Sequence, residues 1–185
     1  MKLLCCASAL PSAVRKGQLP DGAERVASGF DLQKMAAYLP PTSQMTIYAA
    51  PDVAVPDVGG HVLLPQASLA DRDYGLWAGR ALRDMAPAEQ LSFLSDATFA
   101  PPQGESFAAC YQRTALWLDS LAQGGQAAMV LARPGVVRNL VLRVLYHDEL
   151  VGMGHAARVD VCPQSYSLLT CHAGRWRVGM LAAPA

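Results

Sequence analysis

Residues 126–145 read QAAMVLARPGVVRNLVLRVL, and the order of properties along them decides the fold. QAAMVLA is a brief apolar run of strand length, bounded by a break, as expected of a strand buried on both faces. Pro134 then stands where a helix can begin, since the first turn needs no N–H from it and its fixed φ already suits a helix. GVVRNLVLRVL continues as that helix. A buried strand therefore feeds a helix across the single residue Arg133.

Upstream lies a second strong signal. Phe107, Cys110, Tyr111, Thr114, Trp117, Leu118 and Leu121 recur at three- and four-residue spacing, the stripe of an amphipathic helix. It follows the loop PPQGES (101–106) and is stopped by Gly124-Gly125. Downstream, SYSLLTC (165–171) and GRWRVGML (174–181) read as two strands across an Ala-Gly turn. Toward the start, residues 2–7 form a buried strand and 8–21 a loop. Residues 23–39 are loosely helical through Val26, Phe30, Met35 and Tyr38, with Gly29 a weak point and Leu39-Pro40-Pro41 ending the run. MTIYAA (45–50) and HVLLP (61–65) supply two more strands. LADRDYGLWAGR (69–80) is a loop leading into helical segments near 78–85 and 87–95. Strands alternating with helices imply an α/β fold with a mainly parallel sheet. No repeat, low-complexity tract or linker divides residues 1–185, so one domain is expected.

Composition narrows the function classes. The chain has 185 residues, 52% of them hydrophobic, and its fifteen basic residues cancel fifteen acidic ones. That balance argues against nucleic-acid and membrane-surface partners, which call for a basic excess. The most apolar long stretch, NLVLRVLYHDELVGMG, is broken by Arg143, His147, Asp148 and Glu149, so no membrane span is expected. The opening apolar run is too short for a signal peptide and is soon interrupted by Pro11 and Arg15, which makes the expected location cytoplasmic. Five cysteines with no C-x-x-C spacing do not describe a disulfide framework. Adjacent Cys5 and Cys6 would form a strained ring if joined, and read best as two reduced thiols on a buried strand. No metal site is expected, because no His-x-His or nearby carboxylate completes a ligand set. No cofactor is implied.

Four stretches together resemble the histidine phosphatase superfamily, in its phosphoglycerate-mutase-like branch. LADRDYGLWAGR looks like that family's leucine–acid–aromatic-Gly-x-Trp-x-Gly segment. PPQGESFAACYQRTALWLDSL looks like its Gly-Glu-Ser helix start, followed by an arginine. MVLARPGVVRNLVLRVL looks like its strand–His-Gly-Gly-Val-x-Arg–helix unit, and SYSLLTCHAGRW like its closing strands. The resemblance implies a three-layer α/β/α sandwich. It also implies a phosphoryl site built from a nucleophilic histidine, a second histidine, two arginines and a carboxylic acid.

Carried onto this chain, the Arg-His-Gly motif ending the first strand falls on Cys5-Cys6-Ala7. The second arginine falls on Ala54 in AAPDVA, the second histidine on Arg133, and the acid on Asp71. Both histidines and both arginines of the pattern are thus replaced. His61, His147, His155 and His172 lie elsewhere and read as surface or loop residues. Arg133, ending a strand before a helix N-terminus, is with Cys6 the candidate for anion binding; the competing reading is an ion pair with Asp71 or a side chain turned to solvent. Glu105 and Ser106 read as helix-start groups, Trp77 as a packing residue, and Arg113 and Arg138 as supports for packing or surface ion pairs.

The resulting expectation is a degenerate member without phosphohistidine catalysis, acting by binding an anionic metabolite or a protein partner. The alternative is an active phosphomonoester phosphatase with Cys6 as nucleophile and Asp71 as acid.

Overall fold

A computed structural model describes residues 1–29, 31, 34, 38–39, 44–123, 125–146 and 148–184. Its strands are β1 (Lys2–Ala7), β2 (Val26–Ala27), β3 (Thr46–Ala49), β4 (Val53–Ala54), β5 (Val62–Pro65), β6 (Ala128–Ala132), β7 (Ser165–His172) and β8 (Arg175–Pro184). Its α-helices are α1 (Ser12–Arg15), α2 (Pro87–Ser95), α3 (Phe107–Ser120), α4 (Pro134–Leu145) and α5 (Glu149–Gly154).

Six strands form one sheet in the order β5-β3-β6-β1-β7-β8. β5, β3, β6 and β1 run parallel, while β7 opposes β1 and β8 opposes β7. The expected mainly parallel α/β sheet flanked by helices is therefore the observed architecture. Its centre is β1 and β6, where Leu3 through Ala7 and Met129 through Ala132 have no exposed surface. Strands covered on both faces show no polar alternation, which is why both runs are unbroken apolar sequence. The β7–β8 hairpin turns through Ala173 and Gly174, at φ 48° and 73°. Positive φ at both turn positions matches the twist of the strands it joins, and glycine adopts it freely.

On α3, Cys110, Tyr111, Thr114, Ala115, Trp117 and Leu118 are buried, and the Ser106 hydroxyl caps the helix by accepting from Ala109 N at 3.1 Å. On α4, Val136, Val137, Leu140, Val141 and Val144 join the core formed by β1 and β6. Burying each such side chain contributes about 1.5–3 kcal/mol.

The structure departs from the sequence reading in two places. The helix expected over 23–39 does not start as its spacing suggested, because Val26–Ala27 is drawn into a parallel pairing with Val53–Ala54. Phe30, Met35 and four other residues of that stretch lie outside the described residues. The helical segment expected at 78–85 is reduced to one 3-10 turn at Leu82–Asp84, preceded by another at Gly75–Trp77, with the α-helix beginning at Pro87. Trp77 is fully engaged there: its ring packs 5.6 Å from Phe93 and 5.5 Å from Phe99, in a small core with Leu19 and Met85. Among the described residues no helix is long and apolar enough to cross a membrane.

Candidate functional site

Parallel α/β sheets bind ligands beyond the carboxyl ends of their strands, and this chain brings β1, β3 and β6 to such an end together. The loop after β6 carries Arg133, which is the residue preceding the first turn of α4. Its side chain is almost wholly buried, 2% exposed. Nε donates to Asp52 Oδ2 at 2.6 Å and Nη2 donates to the Glu24 carbonyl at 2.7 Å. Nη1 is buried with no hydrogen-bond partner, and so is Asp52 Oδ1.

Asp52 follows β3, in the Ala50-Pro51-Asp52 turn. That turn is held in place by Ala50 N donating to the Leu131 carbonyl of β6. The ion pair anticipated between Arg133 and Asp71 is therefore formed with Asp52 instead. Asp52 lies on the turn beside β6, directly within reach, whereas Asp71 approaches from a different loop.

Asp71 belongs to the loop before α2. A Cβ built on Gly75 would lie 2.3 Å from the Pro102 carbonyl oxygen, and one built on Gly104 2.8 Å from that of Asp73. Only glycine permits this approach, which clamps the Asp71–Asp73 loop onto the loop before α3. Leu76 N donating to Pro102 O and Glu105 N donating to Asp73 O complete the clamp. Asp71 Oδ1 accepts from Arg72 N at 2.9 Å and lies 3.9 Å from a Cβ built on Gly135, against the first turn of α4. Burial raises its pKa above the ordinary carboxylate value; the nearby Asp52 carboxylate adds to this, while the Arg72 N–H and Arg133 oppose it.

Asp52, Asp71, Arg72, Asp73 and Arg133 line a cavity of about 210 Å³, together with Gly22 and neighbouring loop residues. Arg72 is committed elsewhere: it donates to the Glu105 and Phe99 carbonyls at 2.8 and 3.1 Å and lies 4.5 Å over the Phe93 ring.

The remaining predicted positions do not join this cavity. Successive residues of a strand face opposite sides, so Cys5 and Cys6 cannot act as a pair. Cys6 donates to the Ser28 carbonyl at 3.1 Å, and burial pushes its thiol up to about 12. Burial raises Cys5 still further, helped by Cys6. Neither thiol lines the cavity. Ala54 sits in β4 opposite Ala27 and borders a different groove with Ser28, Gly29 and Gln164. Asp52, two positions earlier, is the residue that sequence reasoning missed. Its signal was an acid just past a buried strand, inside a Pro-containing turn.

Arg113 makes a bidentate pair with Glu105 at 2.8 and 2.9 Å and donates to the Ser68 and Asp71 carbonyls. His61 Nδ1 accepts from Met45 N, His155 stacks on Tyr146, and His172 is exposed. None of these three lines the cavity, and His147 lies outside the described residues. Among the described residues no cluster of three or more His, Cys, Asp or Glu could hold a metal ion.

A protein with this sheet order and a strand-to-helix site of this kind is of the phosphoglycerate-mutase-like class. Residues 58–183 match the model of the histidine phosphatase superfamily, branch 1, and the chain belongs to that superfamily. The matched range includes Asp71 and Arg133 but begins after Cys5, Cys6 and Ala54. Among solved structures, the chain is similar to an alpha-ribazole phosphatase from Shigella flexneri. That match has 17% identity and a TM-score of 0.77, and covers 100% of this chain and 98% of that one. It is also similar to the mycobacterial glucosyl-3-phosphoglycerate phosphatase in complex with VO3, at 15% identity, TM-score 0.72 and 98% of both chains. At such identities the likeness concerns the fold. A search of the curated proteins gives no match.

Proposed function

We propose that this chain is a binding protein on a histidine-phosphatase fold, without phosphohistidine chemistry. The observation that carries the reading is the ion pair between Arg133 and Asp52. A phosphoryl-transfer site needs unneutralised positive groups aimed at the place where charge develops. Here the guanidinium at that end of the sheet is held by the protein's own carboxylate, and the first turn of α4 faces Asp71. Both features that attract anions are thus met from within the chain. No histidine stands at Cys6 or Arg133 to carry a phosphoryl group. This internal neutralisation also weighs against a phosphate-like metabolite, and it favours occupancy by another kind of molecule over group transfer.

The competing reading makes Cys6 the nucleophile of a rebuilt phosphatase, with Asp71 as the acid. A raised pKa suits Asp71 for that part. It does not suit Cys6, because thiolate is the attacking form and a thiol near 12 is almost wholly protonated at neutral pH.

The test is turnover of p-nitrophenyl phosphate by the wild type and by Cys6→Ser. The expected result is no turnover from either. Turnover by the wild type that Cys6→Ser abolishes would overturn the binding reading in favour of thiol catalysis.

A further inference from the structure

A second concavity lies among α2, α3, α4 and α5, and of the residues around the Arg133–Asp52 cavity only Arg72 also lines it. It is a groove of about 510 Å³, within the size range of small-molecule sites. Phe93 and Leu94 of α2, Phe107 at the start of α3, and Leu150 and Met153 of α5 give it an apolar lining. Leu94 and Leu150 are 71% and 77% exposed, apolar surface that a ligand would withdraw from water. The α5 wall is held in place. Asp148 caps that helix through Val151 N, and a Cβ built on Gly152 would lie 2.6 Å from the Tyr111 hydroxyl of α3.

Charge in the groove is unequal. Three ionic side chains line it: Arg72, Arg138 and Asp96. Among the described residues neither arginine has a carboxylate within ion-pair distance. Arg72 donates from Nε and Nη2 to backbone carbonyls and lies 4.5 Å over the Phe93 ring. Arg138, read from the sequence as a support for packing or a surface ion pair, takes the packing part alone. Its guanidinium carbon stands 6.0 Å over the ring of Phe107, a lining residue itself. Its Nε is sealed, but Nη1 and Nη2 are not among the sealed polar atoms and donate to none of the described residues. The forked end of this guanidinium is thus accessible, on a residue that lines the groove. Asp96 turns Oδ1 to Thr98, accepting from its N and Oγ1 at 2.8 and 2.7 Å.

We propose that this groove binds a carboxylate carried on an apolar body, such as an arylalkyl acid. The carboxylate meets Arg138 Nη1 and Nη2, and the body lies against Phe93, Phe107 and Leu150. A guanidinium fork matches the two oxygens of a carboxylate, and the charge on both sides strengthens the bonds. A cation would meet two arginines that no carboxylate neutralises. A phosphate monoester, with nearly two negative charges, would call for a second free fork, yet Arg72 has two donor positions committed and Asp96 adds repulsion. An uncharged body would leave the Arg138 fork unanswered. The proposal concerns a different space from the Arg133–Asp52 cavity and does not rest on how that cavity is read.

Five probes separate the possibilities: 4-phenylbutanoate, its amide, 4-phenylbutylamine, 4-phenylbutyl phosphate and acetate, each titrated into the full chain by calorimetry. 4-Phenylbutanoate is expected to bind at least about tenfold more tightly than each of the others, the scale of a hydrogen bond to a charged group. Arg138→Gln is expected to remove its advantage over the amide. Leu150→Asp, at a position too exposed to matter for folding, is expected to weaken it at least about tenfold by removing apolar wall and adding like charge. Leu150→Asp alone decides should Arg138→Gln fail to fold. Equal binding of acid and amide would overturn the proposal, because Arg138 would not be reading charge. Acetate binding as well as 4-phenylbutanoate would overturn it by removing the apolar wall from the site. The amine or the phosphate binding tightest would overturn the carboxylate class. Binding unchanged by Leu150→Asp would place the acid elsewhere, and absence of binding by all five would leave the groove without this ligand; either result overturns the proposal.

Discussion

Two helix starts in this molecule carry arginine–carboxylate pairs, and they are built to different standards. At the start of α3, Glu105 meets Arg113 of that helix through two bonds, and two further guanidinium N–H groups reach the Ser68 and Asp71 carbonyls. Before α4, Arg133 and Asp52 meet through one short bond, and an atom of each is left unpaired. The first pair is about one-quarter exposed and the second is nearly sealed. Burial makes polar atoms costly to leave alone, so the more buried pair should be the better satisfied of the two. The reverse is observed. A complete pair in a half-open setting clamps loops together, whereas an incomplete pair in a closed setting marks a place shaped by something other than stability.

The sharpest way to break this contrast is to remove one partner of the buried pair. Asp52→Ala strands the Arg133 guanidinium and is expected to cost about 3–5 kcal/mol, read from the midpoint of urea unfolding. Converting both residues, Asp52→Leu with Arg133→Met, is expected to return the midpoint to near the wild-type value or above it. A double variant as unstable as Asp52→Ala would show that the pair itself holds the fold.

At the start of α3 the expected losses are smaller. Ser106→Ala removes the hydroxyl that accepts from Ala109 N and is expected to lower stability by about 1 kcal/mol. An unchanged midpoint would mean that the helix start is held by the Arg113–Glu105 pair alone.

The effect at Asp71 appears as a change of slope. Its pKa in the folded chain lies above the ordinary carboxylate value, so the folded state keeps a proton that the unfolded chain releases. Its contribution to stability therefore falls as pH rises from the ordinary value through the raised one, and above both it is a constant loss. Asp71→Asn is expected to flatten the dependence between the ordinary carboxylate value and the raised one, and to gain most relative to wild type above both. Parallel curves for the two proteins would remove Asp71 from the electrostatics of the cavity.

Much of this architecture was readable from residue order, for reasons that differ between elements. β1, β6, α3 and α4 are long enough for period and burial to speak, and the Ala173-Gly174 turn announces the hairpin. β2 and β4 are two residues each; strands so short have no period, and only their mutual pairing makes them strands. α5 is six residues, signalled only by the cap that Asp148 offers to Val151 N. At the site, the place of Arg133 between a buried strand and the start of α4 was legible because it sits on a strong strand-to-helix pattern. The partner of Arg133 was not. Asp52 lies 81 positions away in a turn, and its direction is set by where β3 lies beside β6, a tertiary fact.

The place of β1 has a consequence for how the chain comes into being. Leu3 pairs with Ala128 on one side and with Leu169 on the other, so β1 is made long before either of its neighbours. Contacts so distant along the chain slow folding. At synthesis rates of about 5–20 residues per second, β1 waits on the order of ten seconds for its partners. During that interval Cys5 and Cys6 are open to oxidants that never reach them in the finished sheet. The exposure of these two thiols therefore belongs to the nascent chain.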